Sequence, residues 1–209
     1  MNMIMNRFNA TIRDSKGYFF IVLIMFCLGI SFGLYTVKYM GLADKNDLLN
    51  YFSSFTNSIE NESINYGNLL FEGIKKNIIL IVPIIVLGLT FFGDPIILII
   101  DLLKGFTLGY TFSFVATTFN GKGIGLAIAA LIPQNLIYIP CIIALSIISM
   151  GMSTEKFKGR FFKNSKNKTT VSNGILYKFV LIIVLFTLGM LIETYISPNL
   201  IKFVAKRFC

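Results

Sequence analysis

The chain contains no histidine. Serine–histidine–acid triads, histidine-ligated metals and the HExxH pair are therefore excluded. Cysteine is scarce: Cys27 and Cys141 fall inside apolar runs, and Cys209 is the last residue. There is no CxxC pair, so neither a zinc site nor a redox motif is expected. Cys209 does not stand four residues from the end, which excludes a prenylation signal. No GxSxG elbow occurs, and no other motif calls for a cofactor. Charge is short as well, at 14% of residues against about 25% in a soluble domain. No internal repeat is visible, and the polar stretches are too short to form a separate soluble domain.

Apolar residues fill the space, at 55% of the 209. They gather in five runs, 18–37, 77–92, 95–119, 124–150 and 177–196. A helix needs roughly 20 such residues to cross a bilayer. The expected fold is all-α: one integral membrane domain over 1–209, a bundle of five transmembrane helices. The first run is about twice the length of a signal-peptide core and reads as a retained helix. Between the first two runs, Leu48, Phe52, Phe55 and Ile59 form one stripe at spacings of four, three and four. That spacing predicts an amphipathic helix, either lying on the membrane and able to hold a partner or packed on the protein's own spans.

The formal net charge is +9, which does not point to nucleic acid. Its largest block is the stretch 151–176, with Lys156, Lys158, Arg160, Lys163, Lys166 and Lys168 against Glu155 alone. A cytoplasmic loop held to anionic lipid has this composition, each basic residue contributing about 1 kcal/mol. The positive-inside rule then places the N-terminus in the cytoplasm, the amphipathic stripe outside and the C-terminus outside.

The fourth run carries the sequence Ile132-Pro133-Gln134-Asn135-Leu136-Ile137-Tyr138-Ile139-Pro140. Each proline frees a carbonyl one turn back, and Gln134 and Asn135 put two amides beside those carbonyls at membrane depth. Hydrocarbon offers such groups no partner, so a proline-broken helix is expected, with its amides turned to other helices or water. Gln134 and Tyr138 share a face at i, i+4. In the third run, Asp101 and Lys104 lie roughly 9 and 14 Å beyond Pro95 at 1.5 Å per residue. Their i, i+3 spacing predicts a pair on one helix face, and charges at that depth point to function or to fixed packing. Gly29 and Gly33 in the first run, and Gly105 and Gly109 in the third, are two GxxxG faces suited to close helix contact. Glycine is also simply common in membrane helices.

Leu103-Lys104-Gly105-Phe106-x-x-Gly109, with Pro133-Gln134-Asn135 and Pro140 after it, resembles the stage II sporulation protein M family over nearly the whole chain. The wider superfamily favours Pro-His-Gly at the first proline and a glutamate two before the second. Gln134, Asn135 and Tyr138 stand at those positions here, which resembles the sporulation branch. The resemblance implies a role in engulfment, at the septal membrane of the mother cell. It also implies two peptidoglycan-degrading partners, stage II sporulation proteins D and P.

Three functions are then in competition. A non-enzymatic scaffold uses polar and small residues for helix packing and partner contact, with membrane lipids around it. A small transporter or channel lines a site at the fourth helix with Asp101, Lys104, Gln134 and Asn135. An intramembrane enzyme has the least to build on, because Asp101 is the only acid near mid-depth and no histidine accompanies it.

Overall fold

The computed structural model describes residues 2–41, 43–48, 50, 66–118, 123–161 and 173–200. Backbone groups have no water to pair with in hydrocarbon, so apolar runs satisfy them internally as helices. The long helices are α1 (Asn2–Lys38), α2 (Tyr66–Gly88), α3 (Gly93–Thr118), α4 (Gly123–Phe161) and α5 (Asn173–Leu191), and residues 43–48, at the start of the expected amphipathic segment, are helical as well. A π-helical turn, Ile192–Ile196, follows α5, and helix resumes to residue 200. There is no strand among the described residues.

Four helical stretches are long and apolar enough to cross a membrane: Lys16–Lys38, Gly93–Thr117, Gly123–Arg160 and Tyr177–Leu200. The span expected over 77–92 is not among them. It belongs to α2, whose first half carries Glu72, Lys75, Lys76 and Asn77. Of the amphipathic stripe, Leu48 packs on a cluster of Val37, Phe114, Val115 and Ala127. Phe52, Phe55 and Ile59 lie outside the described residues.

Several boundaries differ from the sequence reading. Gly93-Asp94-Pro95, a composition that favours a tight turn, is the first turn of α3, and the reversal falls at Leu89–Phe92 instead. Proline is tolerated in a first turn because its missing N–H would have no helical partner there. Asp94 in that turn complements the helix dipole. The basic stretch after Gly151 begins as helix, because α4 runs on to Phe161 and carries Lys156, Lys158 and Arg160. At the end of the chain, Ser197-Pro198 does not stop the helix. Pro198 leaves the Thr194 carbonyl without a helical donor, and the wide turn sits there, with the Ser197 N–H reaching Ile192 O.

α4 is also unbroken. It remains helical through both Pro133 and Pro140, so the expected break is absent. Each proline removes one backbone bond, but the flanking turns hold. Asn135 Nδ2 donates to Leu131 O at 2.8 Å, adding a side-chain bond inside the affected stretch.

α4 is the centre of the bundle. Half of its apolar window is buried, against 22–28% in the other three spans. Ile142, Leu145, Tyr138 and Cys141 from α4 meet Val22 of α1, Ile84 of α2, Ile97 of α3 and Phe186 of α5. Small residues bring the other helices close. Ser146, Ser149 and Ser153 are fully buried on α4, and a Cβ on Gly88 would stand 2.8 Å from Ser149 Cα. Lipid tails are as apolar as leucine, so such contact surfaces, rather than a hydrophobic drive, hold the helices together.

α1 and α3 lie parallel along a seam of four glycines. A Cβ on Gly29 would strike Leu102 O, and one on Gly33 would strike Phe106 O. A Cβ on Gly105 would strike Phe26 O, and one on Gly109 would strike Ile30 O. The two GxxxG faces are therefore each other's partners.

Candidate functional site

A cavity of about 190 Å³ lies between α2, α3 and α4. α2 contributes Lys76 and Asn77; α3 contributes Lys104, Thr107 and Thr111; α4 contributes Gln134, Asn135 and Tyr138. These positions follow from helical spacing. Lys104, Thr107 and Thr111 recur at three and four along one face of α3, as Leu131, Gln134, Asn135 and Tyr138 do along α4.

A hydrogen-bond chain closes the inner wall. Asn77 Nδ2 donates to Gly73 O at 2.9 Å and to Tyr138 Oη at 3.1 Å. Tyr138 Oη donates to Glu193 Oε2 at 2.8 Å. Glu193 Oε1 is 3.6 Å from Lys76 Nζ, the residue beside Asn77. The circuit therefore leaves α2, crosses α4, reaches the π-helical turn after α5 and returns to α2. Tyr138 is 4% exposed and Asn77 7%, so both need these partners. A hydrogen bond to a charged group contributes about 1.5–3 kcal/mol, which makes Tyr138–Glu193 the strong link. A second link to the same end of the chain runs from Ser197 Oγ, which donates to Gln134 Oε1 at 3.2 Å. The wide turn that Pro198 imposes thus carries both contacts into the cleft.

Lys104 lines the cavity and forms no ion pair with Asp101. The i, i+3 spacing only brings two side chains near each other; the neighbouring helices decide where each one goes. Asp101 is fully buried against α4 and accepts a hydrogen bond from Ser146 Oγ at 2.8 Å. Its Oδ2 has no partner among the described residues. The sequence-predicted residues therefore separate into three places. Gln134, Asn135, Tyr138 and Lys104 meet at the cleft, Asp101 faces the α3–α4 core, and the glycines form the α1–α3 seam. Pro133 and Pro140 sit within α4 on either side of the cleft residues.

Lys76, Asn77, Glu193, Ser197 and the two threonines belong to the site but did not stand out in the sequence. Lys76 stands just before an apolar run, where a lysine is ordinary, and its partner Glu193 is 117 residues away. The usable signal was Glu193, an acid late in an otherwise apolar run with Lys76 as its possible counter-charge.

At the other end of the bundle the α2–α3 turn is clamped to α4. Lys156 Nζ donates to Leu89 O at 2.8 Å, and the Arg160 guanidinium lies 4.9 Å from the Phe91 ring centre. Thr154 Oγ1 donates to Asp94 Oδ2 at 2.6 Å, and the Gly93 N–H donates to Ser153 Oγ at 3.1 Å. Tyr18 Oη reaches Thr154 Oγ1 at 2.9 Å, which brings the start of the α1 span to the same end.

A family model described as stage II sporulation protein M matches residues 22–198. The chain belongs to that family. Comparison with curated proteins and with solved structures gives no match. The matched stretch begins at Val22 in α1 and ends at Pro198, so this family member carries the glycine seam, the cleft and its Glu193 wall within the family's own extent. Sporulation and four apolar membrane helices describe it at this level.

Proposed function

We propose that this protein is a non-enzymatic membrane scaffold of the engulfment machinery, which holds peptidoglycan hydrolases, stage II sporulation proteins D and P, at the septal membrane of the mother cell. The observation that carries the reading is the family match over residues 22–198, from within α1 into the last described helical turns. The bundle is suited to it. Small-residue seams hold the helices together from within, and α4, though central, keeps Ile128, Ile132 and Leu136 exposed at spacings of four, an apolar stripe open to a neighbour.

Five crossings are part of this reading. α1 and α3 run in the same direction, so the chain has to return between them, and α2 is the return. The orientation follows from two basic segments at one end. Arg7, Arg13 and Lys16 precede the α1 span, and Lys156, Lys158 and Arg160 end α4, with Tyr18 bonded to Thr154 between them. Positive residues collect on the cytoplasmic face.

The test is photo-crosslinking in sporulating cells from positions 48–59 and from Ile132 and Leu136, together with the variant Gln134→Leu/Asn135→Leu. The scaffold reading expects a hydrolase adduct from at least one of those faces. It also expects folded amide variant at normal abundance with weakened septal retention of the hydrolase. No adduct from any position, with hydrolase retained in cells lacking the protein, would reject it.

The cleft itself favours a second reading, passage of a small solute along the fourth helix. Flux into liposomes containing the purified protein distinguishes the two: transport lost in the amide variant, with the hydrolase still retained, would favour passage.

A further inference from the structure

Lys104 lies inside a bundle of apolar helices with no ion pair within 4 Å among the described residues, and the Glu193 carboxylate, held by Tyr138 and Lys76, acts on it only from a distance. An ammonium charge there is expensive unless something neutralises it. Its surroundings say what that something is. Gln134 has given its carbonyl oxygen to Ser197, so its amide protons are unused on the cavity wall beside Lys104. Lys76, on the same wall, spends one ammonium direction on Glu193 and has others left. These are donors for one anion. The remaining lining is the reverse. Thr107 and Thr111 donate to the backbone carbonyls of residues 104 and 107. Asn77 and Asn135 donate through Nδ2 to Gly73, Tyr138 and Leu131. What Thr107, Thr111 and Asn77 turn to a ligand is therefore oxygen, which accepts, and Asn135 keeps its oxygen with one amide proton.

We infer that the cleft between α2, α3 and α4 binds a polyol phosphate, with the phosphate on Lys104, Gln134 and Lys76 and its hydroxyls on the threonine and asparagine oxygens. Phosphate fits the donor set better than carboxylate. Lysine ammonium groups act as point charges suited to phosphate, whereas fixed carboxylate forks favour arginine, and the cleft has no arginine. Size agrees, because a single water needs only about 10–15 Å³ and the cavity holds about 190 Å³. The same chemistry is presented by a phosphatidylglycerol headgroup and by free glycerol phosphate. The inference stands apart from both functional readings, since a bound headgroup needs no path through the bundle.

The full-length protein, in a neutral detergent, is titrated with short-chain phosphatidylglycerol, with glycerol 3-phosphate and with short-chain phosphatidylcholine. Binding is followed by native mass spectrometry and by the shift in thermal unfolding. Wild type should bind one equivalent of at least one of the first two ligands in preference to phosphatidylcholine. Lipid alone identifies a headgroup, and glycerol phosphate binding equally well identifies a soluble ligand. K104M and Q134L should each weaken binding by about tenfold or more, the loss of one charge-assisted hydrogen bond. K38Q, exposed on α1 and outside the cleft and the basic 151–176 stretch, should bind as wild type. Lys104 makes no bond that holds the fold, so K104M should unfold at the wild-type temperature without ligand, which separates lost binding from lost structure. Binding unchanged in K104M, equal loss in K38Q, or no preference over phosphatidylcholine would overturn the assignment.

Discussion

The ring of Tyr138 fills the space that Gly189 leaves open: a methyl group there would stand 2.6 Å from Tyr138 Cε1. Phe186, one turn before Gly189, stacks on the same ring with centres 5.6 Å apart. The α4–α5 contact thus aims the tyrosine hydroxyl at Glu193. Gly189→Ala should push the ring away and cost about 1–3 kcal/mol, the usual range for overpacking. Tyr138→Phe should cost a similar amount by leaving Asn77 and Glu193 each short of a partner. Thermal unfolding in detergent measures both. A Gly189→Ala protein as stable as wild type would mean that the ring is not confined there.

The α1–α3 seam provides its own controls. Gly105→Ala and Gly33→Ala each place a Cβ onto a backbone oxygen of the opposite helix, so both should lower the unfolding temperature and the yield of folded protein. Gly73→Ala and Gly151→Ala meet nothing within 4 Å. In a helix interior alanine is better than glycine by roughly 0.8–1 kcal/mol, so these two should be neutral or slightly stabilising. Equal effects at all four positions would show that close approach is not what the seam glycines provide.

Asp101 and Ser146 should be energetically coupled, and Asp101 and Lys104 should not. Residues in direct contact show interaction energies of about 0.5–3 kcal/mol in double-mutant cycles, whereas independent sites add to within about 0.5 kcal/mol. The cycle Asp101→Asn with Ser146→Ala therefore should depart from additivity. The cycle Asp101→Asn with Lys104→Met should not. Strong coupling in the second cycle would restore the ion pair that the i, i+3 spacing suggested.

Orientation is checked by labelling. In a cysteine-free background, a cysteine at Asn46 should react with an impermeant thiol reagent applied to intact cells, and one at Lys158 only after permeabilisation. Asn46 follows the α1 stretch Lys16–Lys38, and Lys158 stands in the basic last turn of α4, at the opposite end of the bundle. The reverse pattern would invert the topology.

Much of this fold was legible because hydrophobic length and glycine spacing act locally. Gly29 and Gly33, like Gly105 and Gly109, share one helix face whatever surrounds them, so the sequence offers two smooth surfaces and the bundle places them together. Asp101 and Lys104 share a face by the same arithmetic, yet Ser146 takes one and the cavity takes the other. Their fates depend on helices about 30 or more residues away. The prolines misled for a related reason. A missing N–H removes one bond, and a helix whose flanking turns are intact stays helical with that bond absent. The cleft was half legible: Gln134, Asn135 and Tyr138 announce polarity at depth, whereas Lys76 and Glu193 read as ordinary ends of spans until the fold brings them within 3.6 Å.

The glycine seam also imposes an order on biogenesis. α1 is complete before α3 has been made, and Gly33 and Gly105 are 72 residues apart in the chain. At about 5–20 residues per second, the bare face of α1 waits on the order of several seconds in the membrane for its match. During that interval it is a smooth surface that another small-residue helix can occupy, including the same face of a second nascent chain. An N-terminal fragment ending before α3 should therefore self-associate through Gly29 and Gly33, and the complete protein should lose that tendency once Gly105 and Gly109 arrive.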